Sequence, residues 1–296
     1  MRKVTPDRVL FNIITYGIVT IFAVLCLFPF VMLISASLSD EQEIIRKGYG
    51  LLPRGFSTEA YDLVFKNPKS VAQAYGVTIL VTAVGTFASL FFMTMAAYAL
   101  SNHHFKWRNG FSFYFFFTTL FNGGIVPWYI LITKYLQLKN TLLVLILPSM
   151  FSVFYMIILR TSMNELPDAI PESARIDGAG EFRILFQLIV PLSLPSIATI
   201  SLFVALGYWN DWYLSMLFIS KEYLYTLQYL LYRMLGSIEG LKMAMRNGGG
   251  NFNAAALPTE TLKNAMAVVA TGPILLLYPF VQKYFVKGLT IGSVKG

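Results

Sequence analysis

Residues Val9 to Ile34 read VLFNIITYGIVTIFAVLCLFPFVMLI, a run that contains no charged side chain. A helix rises about 1.5 Å per residue, so about 20 apolar residues cross a hydrocarbon core roughly 30 Å thick. The run is also longer than the roughly 7–15 residues of a signal-peptide core. We therefore interpret it as a retained transmembrane helix, in which Cys26 is expected to be a small buried hydrophobe.

The rest of the chain shares this apolar character. Of its 296 residues, 56% are hydrophobic and 13% are charged, whereas soluble domains have roughly 45–50% and about 25%. This composition predicts an all-α integral membrane protein with six transmembrane helices. We expect a division into residues 1–75 (N-terminal cytoplasmic stub, first helix and extracytoplasmic loop) and residues 76–296 (a core domain of five helices). The candidate spans are approximately 10–35, 76–100, 111–133, 141–160, 195–219 and 264–284.

Basic residues near the ends of the spans predict the orientation. An even number of spans places both termini on one side, and cytoplasmic flanks carry an excess of Lys and Arg. Three short flanks that fall on the same side are basic: the N-terminus, the connection between the second and third spans, and the C-terminal tail. We therefore expect both termini in the cytoplasm. The basic residues of these flanks are Arg2, Lys3, Arg8, Lys106, Arg108, Lys287 and Lys295.

Several classes of function are disfavoured by the sequence. Despite the net charge of +8, Lys and Arg form no basic stripe, so we expect a lipid bilayer and no nucleic acid as partner. The chain has no Gly-x4-Gly-Lys-Ser/Thr phosphate loop. Its two histidines, His103 and His104, are adjacent, which leaves too few ligands for a zinc site.

The connection between the fourth and fifth spans, residues 161–194, has the pattern of a folded element. Pro171 at a first helical position, with Glu172 in the first turn, predicts the start of a helix. Gly178 and Gly180 are expected to end that helix. The bend at Gly178 would need a positive φ or a close backbone approach.

A second helical stretch is predicted from Glu181 to Val190, and it should end at Pro191 because proline has no N–H to donate. The connection would then consist of a short helix, a bend and another helix on the cytoplasmic side. Such a rigid element is suited to transmitting force to a cytoplasmic partner.

The spacing of this connection resembles a known motif. Glu172-Ser173-Ala174 is followed after three residues by Gly178 and, after nine more, by Leu188-Ile189-Val190-Pro191. Binding-protein-dependent ABC importer permeases have a similar EAA motif, Glu-Ala-Ala, three residues, Gly, nine residues and Ile-x-Leu-Pro. Here Ser173, Leu188 and Val190 depart from it. The resemblance implies a coupling helix whose contacts to an ATPase subunit would come from Glu172, Ser173, Ala174, Asp177, Gly178 and Pro191.

Other segments are similar to the sugar-importing branch of that family, especially its oligosaccharide and polysaccharide permeases: 96–101, 121–127, 209–211, 282–288 and 292–296. The resemblance implies the type I ABC importer (MetI-like) permease fold in a bacterial cell membrane, and a subunit that is not an enzyme and binds no cofactor or metal. ATP and Mg would be bound by two ATP-binding subunits. A second homologous permease and an extracytoplasmic sugar-binding protein that delivers an oligosaccharide would complete the assembly.

Polar and aromatic residues inside the spans are candidates for the substrate pathway. Asp211 lies beside Trp209 and Asn210, and ionisable residues in a membrane usually face the interior of the bundle. An aromatic belt at the membrane interface is the competing interpretation. In the third span, two glycines and a proline between 123 and 127 could expose polar backbone to a cavity or form a plain kink. The further candidates are Asn122, Trp128 and Tyr129, with Tyr155 in the fourth span.

Segment 220–263 contains apolar residues spaced as one face of a helix, followed by the turn-rich residues 248–251. We predict an interfacial helix, which either packs on the bundle or docks an external partner. Two other functions compete with the importer. An ion-coupled secondary transporter would need a coupling-ion site or an inverted repeat, and the sequence indicates neither. A regulatory scaffold would explain the 161–194 connection but not the broken, polar spans.

Overall fold

The computed structural model describes residues 6–247 and 258–274. Over these ranges the chain is helical, and its strands amount to an isolated bridge between Ser39 and Phe56. Contacts group the chain into two compact units. The N-terminal unit comprises Met1–Pro68 and Leu231–Pro273, and the central unit is built on Lys69–Leu230. The described parts of this second segment, 231–247 and 258–273, which the sequence division assigns to the core, are therefore grouped with the first span.

The N-terminal unit contains the first predicted span. Its helices are α1 (Pro6–Ser37), α2 (Glu41–Lys47), α3 (Glu59–Val64), most of the helix Leu227–Asn247 and a helix at 260–274. The expectation that Cys26 is buried is wrong, since this residue is exposed. The reason is that α1 becomes buried within the chain only near its end, at Ser35, Ala36 and Ser37. Most of α1 therefore presents its apolar surface to lipid or to another chain.

A buried carboxylate joins two distant segments of the N-terminal unit. Glu41, the first residue of α2, is 5% exposed. One of its oxygens accepts hydrogen bonds from the N–H groups of Thr259 and Glu260, both at 3.0 Å, and from the Thr259 hydroxyl. The other oxygen accepts from the N–H and hydroxyl of Thr261, both at 2.9 Å. Glu41 thus satisfies N–H groups that the start of the 260–274 helix would otherwise leave unpaired.

The central unit contains the remaining described spans and their connections. Its helices are α4 (Pro68–Ser101), α5 (Arg108–Leu120), α6 (Ile125–Ile130), α7 (Leu143–Ile146), α8 (Val153–Asn164), α9 (Ala169–Ile176), α10 (Glu181–Ile184), α11 (Val190–Leu192), α12 (Leu194–Trp209), α13 (Tyr213–Phe218) and the start of α14 (Leu227–Asn247). π-Helical turns at Leu131–Tyr135 and Leu185–Ile189 extend α6 and α10, and a 3-10 turn at Leu147–Ser149 extends α7.

In the described ranges two single helices, α1 and α4, are long and apolar enough to cross a membrane. Three pairs of consecutive helices separated by a bend would raise the number to five, if each pair forms one span. The third span bends by 111° between Leu120 and Ile125, which confirms the predicted interruption. Gly124 has φ +82° there. The fourth span bends by 54°. The predicted sixth span is described only as far as residue 274, within the helix at 260–274.

The fifth span differs from the prediction. Instead of one helix across 195–219, α12 ends at Trp209 and a separate helix, α13, follows. At its other end α12 meets α11 at an angle of 84°. Proline residues explain part of this geometry, because Pro191 and Pro195 cannot donate hydrogen bonds across the bend.

Small residues let helices of the central unit approach closely. A Cβ atom on Gly85 of α4 would lie 2.6 Å from the ring of Tyr208 on α12. Tyr208 reaches past α4 to donate a hydrogen bond to the carbonyl of Ile146 at 2.9 Å, and its hydroxyl lies 3.2 Å from that of Ser89. Close packing and hydrogen bonds of this kind stabilise helix pairs in a bilayer, where the hydrophobic effect does not drive helices together.

The predicted amphipathic helix is confirmed as α14, Leu227–Asn247. Its predicted apolar face is buried at Leu227 and Leu231 and half-buried at Leu230, Met234, Leu235 and Ile238. The Leu227 N–H donates to the hydroxyl of Thr78 at 2.8 Å. This burial favours packing on the chain over a freely exposed docking face. The turn-rich residues 248–251 and the basic C-terminal tail lie outside the described residues.

Candidate functional site

The cytoplasmic connection 161–194 begins with the short helix α9. The helix starts at Ala169, two residues before the predicted start, so Pro171 is its third residue. This shift has little effect on stability, because N–H groups of the first turn have no intrahelical acceptor. A proline in the first turn therefore loses no helical hydrogen bond. Glu172 lies in the first turn as predicted.

The end of α9 is fixed by backbone geometry. Gly178 has φ +80°, which confirms the predicted positive φ. Its N–H donates to the carbonyl of Arg175 at 3.0 Å, and the Ala179 N–H donates to the carbonyl of Ala174 at 2.9 Å. These two bonds form a Schellman motif, the common way to end a helix with a glycine in the left-handed region.

After this bend the chain resumes as α10, passes through the π-helical turn and ends as α11. The predicted second helix is thus confirmed, with its end at Leu192, one residue after Pro191. A π turn commonly accommodates an irregular hydrogen-bond ladder. Here it precedes Pro191, which is exposed and cannot donate to the preceding turn.

An ion pair holds the two halves of the connection together. Arg175 of α9 donates to both carboxylate oxygens of Glu181 on α10, at 2.8 and 3.3 Å. The hydroxyl of Tyr98, near the end of α4, donates to the same carboxylate. The bidentate Arg–carboxylate geometry resists rotation of either side chain. The orientation of α9 is therefore fixed relative to the second span.

The outer face of α9 is exposed. Glu172, Ser173, Ile176 and Asp177 are exposed, whereas Ala174 is half-buried and packs against the core of the central unit. Ile176 is 87% exposed. Ile176 is the last residue of α9, so a large apolar side chain is exposed where the helix ends, next to the exposed Asp177.

A cavity of about 160 Å³ lies between α4, α8 and α12. Four residues that carry hydroxyl groups line part of it: Ser149, Ser152, Tyr155 and Tyr208. The lining also includes the apolar ring of Phe203 and the glycine Gly207, which has no side chain. Tyr155 stacks on Phe203, with ring centres 6.3 Å apart. Among the described residues that line it, none is charged.

The sequence matches a known protein family over residues 60–291, the binding-protein-dependent transport system inner membrane components. The chain belongs to this family. A relative from Bacillus subtilis (strain 168), the polygalacturonan/rhamnogalacturonan transport system permease protein YtcP, is 38% identical over 97% of this chain and 99% of its own length. The Protein LplC of the same organism is also 38% identical, over 90% of this chain and 89% of its own length.

A solved structure shares the fold of this membrane component. It is a bacterial ABC transporter involved in the import of the acidic polysaccharide alginate, one chain of which matches with a TM-score of 0.75 and 28% identity. The match covers 96% of this chain and 100% of that chain. The expected all-α ABC importer permease fold is thus confirmed.

The substrate-pathway residues predicted for this membrane component are distributed over several places in the central unit. Tyr155 lines the cavity. Trp128 and Tyr129 instead pack on the buried Phe218, with ring centres 5.1 and 5.5 Å from its ring. Asn122 lies in the bend of the third span, where its side chain accepts from the Gly124 N–H at 2.8 Å.

Asp211 and its neighbours lie at the end of α12. The Asp211 carboxylate accepts a hydrogen bond from the Leu214 N–H at 3.0 Å, so it caps α13. Trp209 is buried beside Tyr75, and the side chain of Asn210 donates to the carbonyl of Leu206. Asp211 is therefore held in a break between helices and does not project from the middle of a continuous span.

Most residues of the cavity were not identified from the sequence. Ser149 and Ser152 lie at i−6 and i−3 from Tyr155, and Gly207 lies four residues after Phe203. Polar or small residues at helical spacing within an apolar span were the available signal. It is weak, because the same pattern is used for helix packing in membranes.

Proposed function

We propose that this chain is a permease subunit of an ATP-driven importer that moves an oligosaccharide or polysaccharide through the bacterial cell membrane. An extracytoplasmic binding protein would deliver the sugar. A second, related permease would complete the pathway, and two separate subunits would bind and hydrolyse ATP with Mg. The names of the relatives support the substrate class. The observation that carries the coupling role is the exposed face of α9 around Ile176.

The geometry of 161–194 supports a coupling mechanism. An element that transmits force must keep its shape when its partner moves. The Schellman motif fixes one end of α9, and the Arg175–Glu181–Tyr98 cluster ties the helix to α4. Movement of an ATPase subunit bound to the outer face of α9 would therefore tilt α4 and α10 together instead of bending the loop.

Contacts in the central unit also support the proposed orientation. His104, in the connection between the second and third spans, lies 4.0 Å from Glu172 of α9. Both connections are therefore at the same end of this unit, as a cytoplasmic location for each requires. We place both termini on that side.

Substitution of Ile176 by Asp tests the coupling role. The removal of an apolar anchor from an interface commonly costs about 2 kcal/mol or more, so we expect the ATPase subunits that co-purify with the chain to decrease by about tenfold or more. The measurement is the ratio of ATPase subunit to permease after affinity purification in nanodiscs.

Ile45→Asp is the matched control, because Ile45 is an isoleucine with 56% exposure on α2, outside the connection. It should leave the ratio unchanged. Equal ratios for wild type and Ile176→Asp would contradict docking through α9. If no ATPase subunit co-purifies with wild type, and uptake follows an ion gradient, the ion-coupled secondary transporter would replace this proposal.

The cavity between α4, α8 and α12 is our candidate for this permease's part of the sugar pathway. Hydroxyl groups can exchange hydrogen bonds with sugar hydroxyls, and the Tyr155–Phe203 pair offers an aromatic wall. Its volume of about 160 Å³ is below the roughly 300–1,000 Å³ of small-molecule pockets. In this conformation it would therefore hold only part of a sugar chain.

Gly207→Leu tests the pathway. A Cβ atom on Gly207 meets nothing within 4 Å, and Gly207 lines the cavity, so a leucine here adds bulk at the cavity without a clash at Cβ. We expect uptake of oligosaccharides released from polygalacturonan to fall about tenfold, the equivalent of about 1.4 kcal/mol in barrier height, while ATPase subunits still co-purify. Gly76→Leu, also in open space but outside the cavity, is the control. Unchanged uptake by Gly207→Leu would exclude this cavity from the pathway.

A further inference from the structure

A groove of about 400 Å³ lies at the end of α4 beside α10, outside the exposed face of α9. Its walls are largely apolar and include Met95, Ala99, Phe182 and Leu185. Polar residues, Asn102 and His104, are found where the chain leaves α4. The groove therefore has the amphipathic character of a site for a molecule with an apolar tail and a polar head.

The apolar wall continues along α4, away from the C-terminal end of this helix. On α4, residues at positions 87, 91 and 95 share one face of the helix, because they are four residues apart. The same spacing relates Phe182 and Phe186. Phe91 stacks on Phe186 with ring centres 6.1 Å apart, and on Phe87 at 6.4 Å. Phe87 is 73% exposed. The groove is thus continuous with an exposed aromatic surface on α4, a helix long and apolar enough to cross a membrane.

The connection that closes the polar end is basic and aromatic. Lys106 lies 5.8 Å above the ring of Trp107, which is itself 64% exposed. Arg108 follows and contacts His103 at 2.7 Å. Exposed Trp beside Lys and Arg is the composition that anchors proteins at the headgroup level of a membrane.

Of the three carboxylates nearby, Glu181 lines the groove, whereas Asp168 and Glu172 line a neighbouring pocket with His103 and His104. The carboxylate of Glu181 lines the groove but is engaged by Arg175 and Tyr98. Glu172 points from α9 and lies 4.0 Å from His104. Lys106 directly follows Phe105, which lines the groove, and the Arg108 N–H donates to the carbonyl of Phe105 at 3.1 Å, so both basic residues belong to the turn at the polar end of the groove.

We propose that this groove binds an anionic phospholipid of the cytoplasmic leaflet. Its phosphate would lie at Lys106 and Arg108, and one acyl chain would follow Met95 and Ala99 toward Phe91 and Phe186. The choice of leaflet rests on the proposed orientation of the importer. The choice of occupant rests on charge complementarity and on the continuity of the groove with the membrane-facing surface.

Native mass spectrometry of the full chain, with the partner subunits that co-purify, tests the proposal. The probes are phosphatidylglycerol and phosphatidylcholine with identical acyl chains. We expect phosphatidylglycerol adducts on wild type to exceed phosphatidylcholine adducts, and to weaken by about fivefold for each basic side chain removed in Lys106→Gln with Arg108→Gln. Ala99→Phe, which fills the groove, should lower adducts of both lipids.

The control is Lys134→Gln with Lys139→Gln, which removes the same charge from the end of the third span and the connection after it. Equal binding of the two lipids to wild type would overturn the proposal, as would an equal loss in the control. Inorganic phosphate that competes fully with phosphatidylglycerol would show that the acyl groove is not used. Adducts on the isolated chain that vanish when ATPase subunits are bound would assign the groove to that protein interface. None of these readouts depends on uptake, so the coupling proposal is tested separately.

Discussion

Gly178→Val is expected to abolish most binding-protein-stimulated ATP hydrolysis, while Gly178→Asn retains most of it. Gly178 has φ +80°, a region that costs an L-residue about 1–2 kcal/mol and a β-branched one more. Relief of that strain would break the bonds from Gly178 to Arg175 and from Ala179 to Ala174. About 2 kcal/mol corresponds to roughly a 30-fold shift in the population of the native bend. Asn tolerates the left-handed region and should preserve the bend.

The measurement is ATP hydrolysis by the reconstituted complex with and without the binding protein. Gly180→Val provides the matched control, because Gly180 has φ −72° and open space around it. This variant should retain most of the stimulation. If Gly178→Val and Gly180→Val behave alike, the bend at Gly178 is not what couples hydrolysis to the permease.

The cytoplasmic connection was predictable from local sequence because its decisive features are local. A glycine after a short helix signals a left-handed C-terminal residue, and Gly178 occupies that position. The partners that orient the helix are not local. Tyr98 lies 83 residues from Glu181, and nothing in the spacing of either residue indicates that they meet. The sequence therefore predicted the shape of the connection but not its attachment to the second span.

The spans show the same limit. Apolar runs placed α1 and α4 correctly, because composition alone decides whether a helix can cross a bilayer. Bends were predictable where Gly and Pro interrupt the third span, but the end of α12 at Trp209 was not. There the Asp211 side chain, which we considered as a sugar contact, caps α13. The spacing of a single acidic residue in an apolar run does not indicate that its carboxylate will bond to the backbone three residues later, and its place in the substrate pathway stays a prediction.

Glu41→Ala is expected to release the start of the 260–274 helix from α2. The carboxylate is 5% exposed and accepts five hydrogen bonds. Its removal would leave buried donors unpaired at a cost of about 3 kcal/mol. Hydrogen–deuterium exchange of the amides at 259–261 should then accelerate by roughly 100-fold. Exchange is the suitable readout because all four tryptophans, Trp107, Trp128, Trp209 and Trp212, lie in the central unit.

Glu43→Gln is the control for this substitution. Glu43 is on the same helix and pairs with Lys47 at 2.6 Å near the surface, and an i, i+4 pair of this kind contributes only about 0.3–0.5 kcal/mol. Its loss should change exchange at 259–261 by no more than about twofold. Similar exchange in Glu41→Ala and Glu43→Gln would mean that the buried carboxylate does not hold the two segments together.

The same carboxylate predicts a pH dependence. Burial raises the pKa of Glu41, but hydrogen bonds from Glu260, Thr261 and Thr259 outweigh it, so the pKa lies below its ordinary value of 4.5. The folded state therefore favours the ionised form, and this stabilisation is fully present above about pH 4.5 and is lost as the pH falls through the lowered pKa. After correction for intrinsic exchange, protection at 259–261 should be constant from neutral pH to about pH 5 and decline below about pH 4.5. Glu41→Gln, which cannot ionise, should show weaker protection without this decline, and a decline of the same size in that variant would assign the pH response to another group.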